Sequence, residues 1–510
     1  MNDMTLLSRA ELRLGADSSR VIARLFVPGQ ELHNERHSRA SDVIERVLEL
    51  SDETVVATLG SVIARFAGRH KDLRRVLQTH YERVAHRIDE ESALSTERRL
   101  LIGACFTKEF SVEAAALFNP SMVMHPDQSN LVPGSVRFVM SLRAVGEGHI
   151  SSLEFRTGVV GPGSSIQVDE PGDFLESGTH GPAQHHREVL LGKLDDATGD
   201  EECCSYLRRQ LPAEFDDETL EVALARLIRH PVTRTRGAHN AELARQIAVG
   251  NYIVEFETST VLAERILWPH SPAESQGIED ARFVRFAEDD GTVTYLATYT
   301  AFDGENIAPQ LIRTTDFRTF EIVQLAGAAA QDKGMALFPR KVRGTYVALS
   351  RSDRESSGIA TSSDGLVWSS PTPLQSPRQP WEVIQLGNAG SPIETEEGWL
   401  VITHGVGPMR EYSLGAILLD RDEPSRVIGA LREPLLRPTS EERDGYVPNV
   451  VYSCGAMLFD GQLVLPYGIS DSAVGFAFVD LAMLLERLLS DGPLVKEGAR
   501  REGSKPIFNK

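Results

Sequence analysis

Five times in this sequence a turn glycine opens a short apolar strand that closes on a polar or aromatic residue. The copies run from Gly134 to Arg143, Gly291 to Tyr299, Gly344 to Arg351, Gly398 to Gly405 and Gly461 to Gly468. The last four glycines follow one another at 53, 54 and 63 residues, and Gly134 lies 157 residues before Gly291, about one repeat plus an inserted segment. Two smaller echoes, Thr315 to Phe320 and Ser363 to Trp368, read as turns between outer strands. A repeat near ~50 residues carrying several strands is the signature of a β-propeller. Five copies predict five blades, and hence a mainly β fold.

The flanks read differently. Val43 and Val47, then Val55, Leu59, Val62 and Phe66 behind Ser51 as N-cap, and a third set from Asp72 to His86 recur at helical spacing. Residues 1–97 are therefore expected to form an N-terminal helical region, irregular up to about residue 40 except for Val21–Phe26. Strands are expected over 98–488. They are interrupted at 165–248 by a partly helical insertion with one helix, Asp217 to His230. An apolar helix, Leu481 to Leu489, and a charged tail, 489–510, end the chain. The helical regions are the expected faces of a homo-oligomer.

A net charge of −20 argues against nucleic-acid and anionic-membrane partners, which want clustered Lys and Arg. No apolar run has the ~18 residues of a membrane span, and residues 1–20 lack the apolar core of a signal peptide. The four cysteines lack zinc-ligand spacing, and adjacent Cys203 and Cys204 cannot easily bridge each other. A reduced, cytoplasmic setting is expected. His185 and His186 have no spaced third ligand, so no metal is assigned.

If the repeat strands line a central channel, their far ends converge. Those ends carry Arg143, Tyr299 to Asp303, Arg351, His404, Tyr467 and Asp471. Arginines, acids and aromatics together suit a polyhydroxylated or anionic small molecule, because charged groups grip hydroxyls and rings cover a sugar face. Just before one of these strands stands Gly277-Ile278-Glu279-Asp280-Ala281-Arg282, two acids beside an arginine that can tune a proton donor.

In these residues the chain resembles glycoside hydrolase family 130, the inverting β-mannoside phosphorylases and related β-mannosidases. The resemblance rests on Gly277 to Arg282 (the family usually has Pro at Ala281), Tyr299 to Gly304, Asp332 to Lys341, Pro392 to Thr395 with Gly398 to Leu400, and His404 to Val406. It implies that Asp280 is the general acid, passing its proton through the mannose 3-hydroxyl to the glycosidic oxygen. Inorganic phosphate, the co-substrate, then attacks from the opposite face and leaves α-mannose 1-phosphate, with no cofactor. Asn119, Arg143, Arg282, Tyr299, Asp303 and Glu394 would meet the oligosaccharide, and Lys333, Arg340, Arg351 and His404 the phosphate.

The same residues admit plainer roles. Arg340 and Lys341 are neighbours on a strand, so only one can reach the pocket. Arg351 can pair with an acid, His404 can bond a backbone carbonyl, and Asp303 sits in an Asp-Gly turn context. Two rival functions stand beside phosphorolysis: hydrolysis with Glu394 as the base across from Asp280, and a non-catalytic carbohydrate-binding propeller.

Overall fold

The structure is a computed structural model that describes residues 6–28, 38–88, 94–230 and 236–494. The charged tail from Glu497 lies outside the described residues. Strand outweighs helix, and among the described residues the strands group into five antiparallel meanders. Each of the five repeat glycines has positive φ, from 73° at Gly461 to 147° at Gly398. Only glycine enters that region without strain, which is why the repeat is legible.

Each repeat strand is the second of its meander. The strands Val136–Val145, Val293–Phe302, Tyr346–Ser350, Trp399–Val406 and Gln462–Ile469 each pair with a shorter or bulged strand before them and a full strand after them. The expectation that the repeat strands are themselves innermost is corrected here. The strands ahead of them meet between meanders, as where Ser121 bridges Gly455 and the Phe283 amide donates to the Ser121 hydroxyl at 2.9 Å. Of the hairpin turns after the repeat strands, 351–356, 407–411 and 470–472 open toward one side, where Arg351, Met409, Arg410 and Asp471 line a common cavity.

The helical flanks form as the pattern predicts, with additions. Arg39–Leu48, Asp52–Phe66, Leu73–Val84 and Thr96–Cys105 each start behind a side-chain cap, Ser38, Ser51, Asp72 and Ser95. They bury a common core of Ile44, Val47, Val55, Tyr81 and Ile102. The segment expected to hold one helix holds four: Arg187–Thr198, Glu201–Gln210, Asp217–Arg229 and Gly237–Ala248. Leu191, Leu194, Leu207, Leu224 and Leu227 close their core. The last helix runs Leu481–Asp491, past the expected boundary at 488, and packs Leu484 and Leu488 under the fourth and fifth meanders.

Residues 1–97 are not wholly helical. Leu7–Gly15 is a strand that pairs antiparallel with Ala473–Asp480 on the outside of the last meander, and Val21–Leu25 pairs with Thr107–Ser111. Ala10, Leu12 and Leu14 alternate with charged residues, so the period of two was present in the sequence. Buried Arg20 next to this strand bonds Glu113 at 2.9 Å and Glu154 at 2.9 Å, fastening the segment to the first meander. No helix of the described residues is long and apolar enough to cross a membrane.

Candidate active site

On the side where the hairpin turns open lies a cavity of about 620 Å³. Its floor is made by two residues that sequence patterns alone would place on opposite strands. Asn119 and Asp280 each occupy a β-bulge: the register slips between Phe118 and Ser121 in one strand and between Glu279 and Arg282 in the other. Both hold left-handed backbone, at φ 49° and 54°. Bulges re-aim side chains, and strained backbone of this type persists only where the surroundings enforce it. Here they aim the Asn119 amide at the Asp280 carboxylate, with Nδ2 donating to Oδ1 at 2.7 Å.

Arg143 completes the floor. Its Nη1 donates to Asp280 Oδ1 at 3.3 Å, its Nη2 to Glu279 Oε1 at 2.6 Å, and its Nε to the Ser151 hydroxyl at 3.0 Å. The bulge lets Glu279 and Asp280, neighbours in sequence, face the same guanidinium. Lys333 reaches the other Glu279 oxygen at 3.5 Å and is 40% exposed, so its ammonium is free to turn toward a ligand.

Burial pushes the Asp280 carboxyl up, but Arg143, Arg282, Lys333 and the Asn119 bond outweigh it and hold the group below its ordinary value. Asp471, on the same cavity wall, goes the other way. Burial first, then the Asp280 charge, push it up to about 7 against the pull of Arg143. Two carboxyls in one cavity are thus driven apart in pKa.

Arg351 and His404 form the opposite wall. Arg351 Nη1 lies 3.1 Å from His404 Nε2, and Gly387 leaves the room they share, since a Cβ there would stand 2.8 Å from the imidazole. His404 is 2% exposed. Burial, then Arg351 and Arg282, keep it well below its ordinary value, so it is a neutral acceptor and not a cation. Tyr412 stacks on it at 6.2 Å and Tyr452 meets it edge-on at 4.9 Å.

Asn119, Arg143, Asp280, Lys333, Arg351 and His404 therefore line one cavity, as the sequence reading grouped them. The remaining candidates do not. Arg282 is buried beneath Asp280 and gives Nη1 to the Asp280 carbonyl at 2.8 Å, Nε to the Ala389 carbonyl and Nη2 to the Tyr452 hydroxyl. Tyr299 points into the second meander, where its hydroxyl joins Glu274 and Gln310. Tyr467 likewise bonds buried Glu442. Asp303 caps its own turn, accepting the amides of Glu305 and Asn306 at 2.8 and 2.6 Å.

Arg340 and Glu394 face each other instead of Asp280. Two parallel bonds, 2.9 and 2.6 Å, join them, and Arg421 adds a third at 3.1 Å. They line a separate cavity of about 300 Å³ with Met122, Phe283 and Met457, at the other end of the strands that carry Asn119 and Asp280. Three residues further along those strands is ~10 Å away, so neither reaches the Asp280 floor. Lys341 pairs with Glu288 and Asp289. His185 bonds Asp217 at 2.7 Å and His186 faces Glu214.

The sequence reading missed Tyr412, Tyr452, Asn449 and Gln385 on the cavity wall. A positional signal existed. Asn119, Asp280, Lys333 and Tyr452 each stand 9 to 15 residues ahead of a repeat glycine, in the first strand or the loop of each unit.

A solved structure of beta-1,2-mannobiose phosphorylase from Listeria innocua, with beta-1,2-mannobiose, aligns over 74% of this chain and 93% of its own at 20% identity and a TM-score of 0.44. The beta-1,2-mannobiose phosphorylase sequence of Listeria innocua is 31% identical over 229 residues, 44% of this chain and 63% of that protein. The 1,2-beta-oligomannan phosphorylase of Thermoanaerobacter sp. strain X514 is 34% identical over 212 residues, 41% of this chain and 70% of that protein. The family model described as beta-1,4-mannooligosaccharide phosphorylase matches residues 240–489, the span that supplies Asp280, Lys333, Arg351, His404 and Asp471. By that match and by 34% identity across 70% of a member's length, the chain belongs to glycoside hydrolase family 130.

Proposed function

We propose that the five meanders form a five-bladed β-propeller and that the chain is an inverting β-mannoside phosphorylase. In this reading it transfers the terminal mannosyl unit of β-1,2-linked manno-oligosaccharides to inorganic phosphate, a glycosyl transfer that releases α-mannose 1-phosphate. The relatives' names supply the sugar and the linkage. The observation that carries the reaction type is the division of charges: Lys333 and Arg351 share the Asp280 cavity, while Glu394 is neutralised by Arg340 and Arg421 elsewhere.

In the proposed step one phosphate oxygen bonds to the anomeric carbon as the bond from that carbon to the leaving oxygen breaks. Asp280 supplies the proton that the leaving oxygen takes. Phosphate carries its own nucleophilic electron pair, so no protein base is required. Lys333 and Arg351 offset its charge, and neutral His404 accepts from Arg351 and fixes that guanidinium. Asn119 and Arg143 hold the Asp280 carboxyl in place, and Asp471, with its raised pKa, serves as a hydroxyl partner on the mannosyl side. A dianion beside Lys333 weakens the field that depresses Asp280, which favours its protonated form when phosphate is bound.

The test is product analysis on β-1,2-mannobiose in phosphate and in phosphate-free buffer. Mannose 1-phosphate formed only with phosphate supports the reading. Free mannose released equally in both would overturn it and shift attention to Asp471 as the base of a hydrolase.

A further inference from the structure

The rim of the Asp280 cavity carries a pair of exposed rings that the proposed reaction does not use. Tyr446 is 47% exposed, and its hydroxyl meets His149 Nδ1 at 2.8 Å with the rings 6.0 Å apart and tilted 37°. Tyr446 directly precedes Val447, Pro448 and Asn449 of the cavity wall. His149 lies in the hairpin turn between the strand of Arg143, which completes the floor, and the strand of Ser151, which accepts from Arg143. The contact therefore joins the first and last meanders just outside the mouth.

These rings are held, not loose. The Tyr446 amide donates to the Ser472 hydroxyl at 2.6 Å, and the Val447 amide to the Ser470 carbonyl at 3.0 Å, on either side of Asp471. Gly445 packs so close to this turn that a Cβ would stand 2.4 Å from the Ser470 carbonyl oxygen. His149 is itself fixed in left-handed backbone at φ 61°. An exposed aromatic ring already ordered offers apolar contact area at little cost in side-chain entropy. Its chemistry matches the C–H face of a sugar ring, with imidazole and hydroxyl beside it for the sugar's hydroxyls.

We propose that Tyr446 and His149 form a distal subsite that receives a sugar ring of the leaving chain beyond the one next to the cleaved bond. This rests on the phosphorylase reading above and extends it: the enzyme's substrates are oligosaccharides of three or more units rather than disaccharides alone. Met409, 91% exposed, and Arg410, bonded to the Tyr412 hydroxyl at 3.2 Å, also line the cavity.

The experiment measures kcat/KM for phosphorolysis of β-1,2-linked mannobiose, mannotriose and mannotetraose with wild type, Tyr446→Ala, Tyr446→Phe and His149→Ala. Wild type is expected to prefer the longer chains. Tyr446→Ala is expected to lower the tetraose-to-biose ratio ~5–10-fold, the worth of one ring contact. Tyr446→Phe keeps the ring and is expected to keep most of that ratio. An equal loss on all three sugars would make the pair a structural latch and overturn the subsite, as would no loss on any. If wild type turns over none of them, the phosphorylase reading fails. The subsite is then judged by calorimetric titration of the same sugars: an affinity that rises with length and drops with Tyr446→Ala supports it, and a flat series removes it.

Discussion

Asn119 and Asp280 meet at 2.7 Å across two bulged strands, and both hold left-handed backbone. Asparagine is among the few side chains that tolerate that conformation. Asp280→Asn is therefore expected to keep the fold and melting temperature while lowering kcat by ~10²–10⁴-fold or more. Asp280→Ala should lose activity to the same degree and also melt lower, because alanine bears the φ of 54° with no local hydrogen bond. Comparing the two by thermal denaturation and initial rates separates the proton donor from the strained backbone. Retention of a tenth of wild-type activity by Asp280→Asn would remove it from the acid's role.

Asp471 sets a pH dependence of opposite sign to the ordinary carboxylate. Its folded pKa, about 7, lies above the ordinary value of 3.8. Between those values the folded protein binds more protons than the unfolded chain, so stability falls as pH rises through that window. Melting temperatures of wild type and Asp471→Asn, measured from pH 4 to 8, are expected to diverge. The wild type should lose ground as pH climbs toward 7, and the difference should level off above it. A parallel pair of curves would mean that Asp471 titrates normally.

Glu394 is expected to be dispensable for chemistry. Glu394→Gln should leave kcat within about twofold and cost no more than ~1 kcal/mol of stability, since the Arg340 pair is 38% and 29% exposed at its two side chains. A loss of ~10²-fold in kcat would restore it to the reaction.

Arg282 is expected to act by holding the bulge that carries the acid. Arg282→Met strands the Asp280 and Ala389 carbonyls and the Tyr452 hydroxyl, and should destabilise by roughly 2–4 kcal/mol. Its KM for phosphate should change less than its kcat, because the guanidinium does not line the cavity. A large rise in phosphate KM at full kcat would instead make it a ligand.

The repeat was readable because turn geometry demands glycine, and the convergence of Arg143, Arg351 and His404 followed from their shared place at strand ends. What alternation could not reveal were the bulges. One extra residue before Arg282 turns Glu279 and Asp280 to the same side and sends Arg282 underneath, which no period-two count anticipates. Tyr299 and Asp303 were misassigned for a related reason: their strand end is right, but their side chains are taken up by Glu274 and by the turn's own amides. Arg340 and Glu394 sit in matched motifs yet in a separate cavity, because a motif's position along a strand decides which end of the strand it serves.

The pairing of Leu7–Gly15 with Ala473–Asp480 also fixes an order of events during synthesis. Leu7–Gly15 leaves the ribosome long before its partner, since more than 450 residues separate the two strands. At ~5–20 residues per second the nascent chain carries that strand unpaired for tens of seconds. Unpaired backbone along a waiting strand is a template for association with other chains. The charged residues that alternate along Leu7–Gly15 (Arg9, Glu11 and Arg13) then have a task before folding is complete: they keep a waiting strand in solution until its place exists.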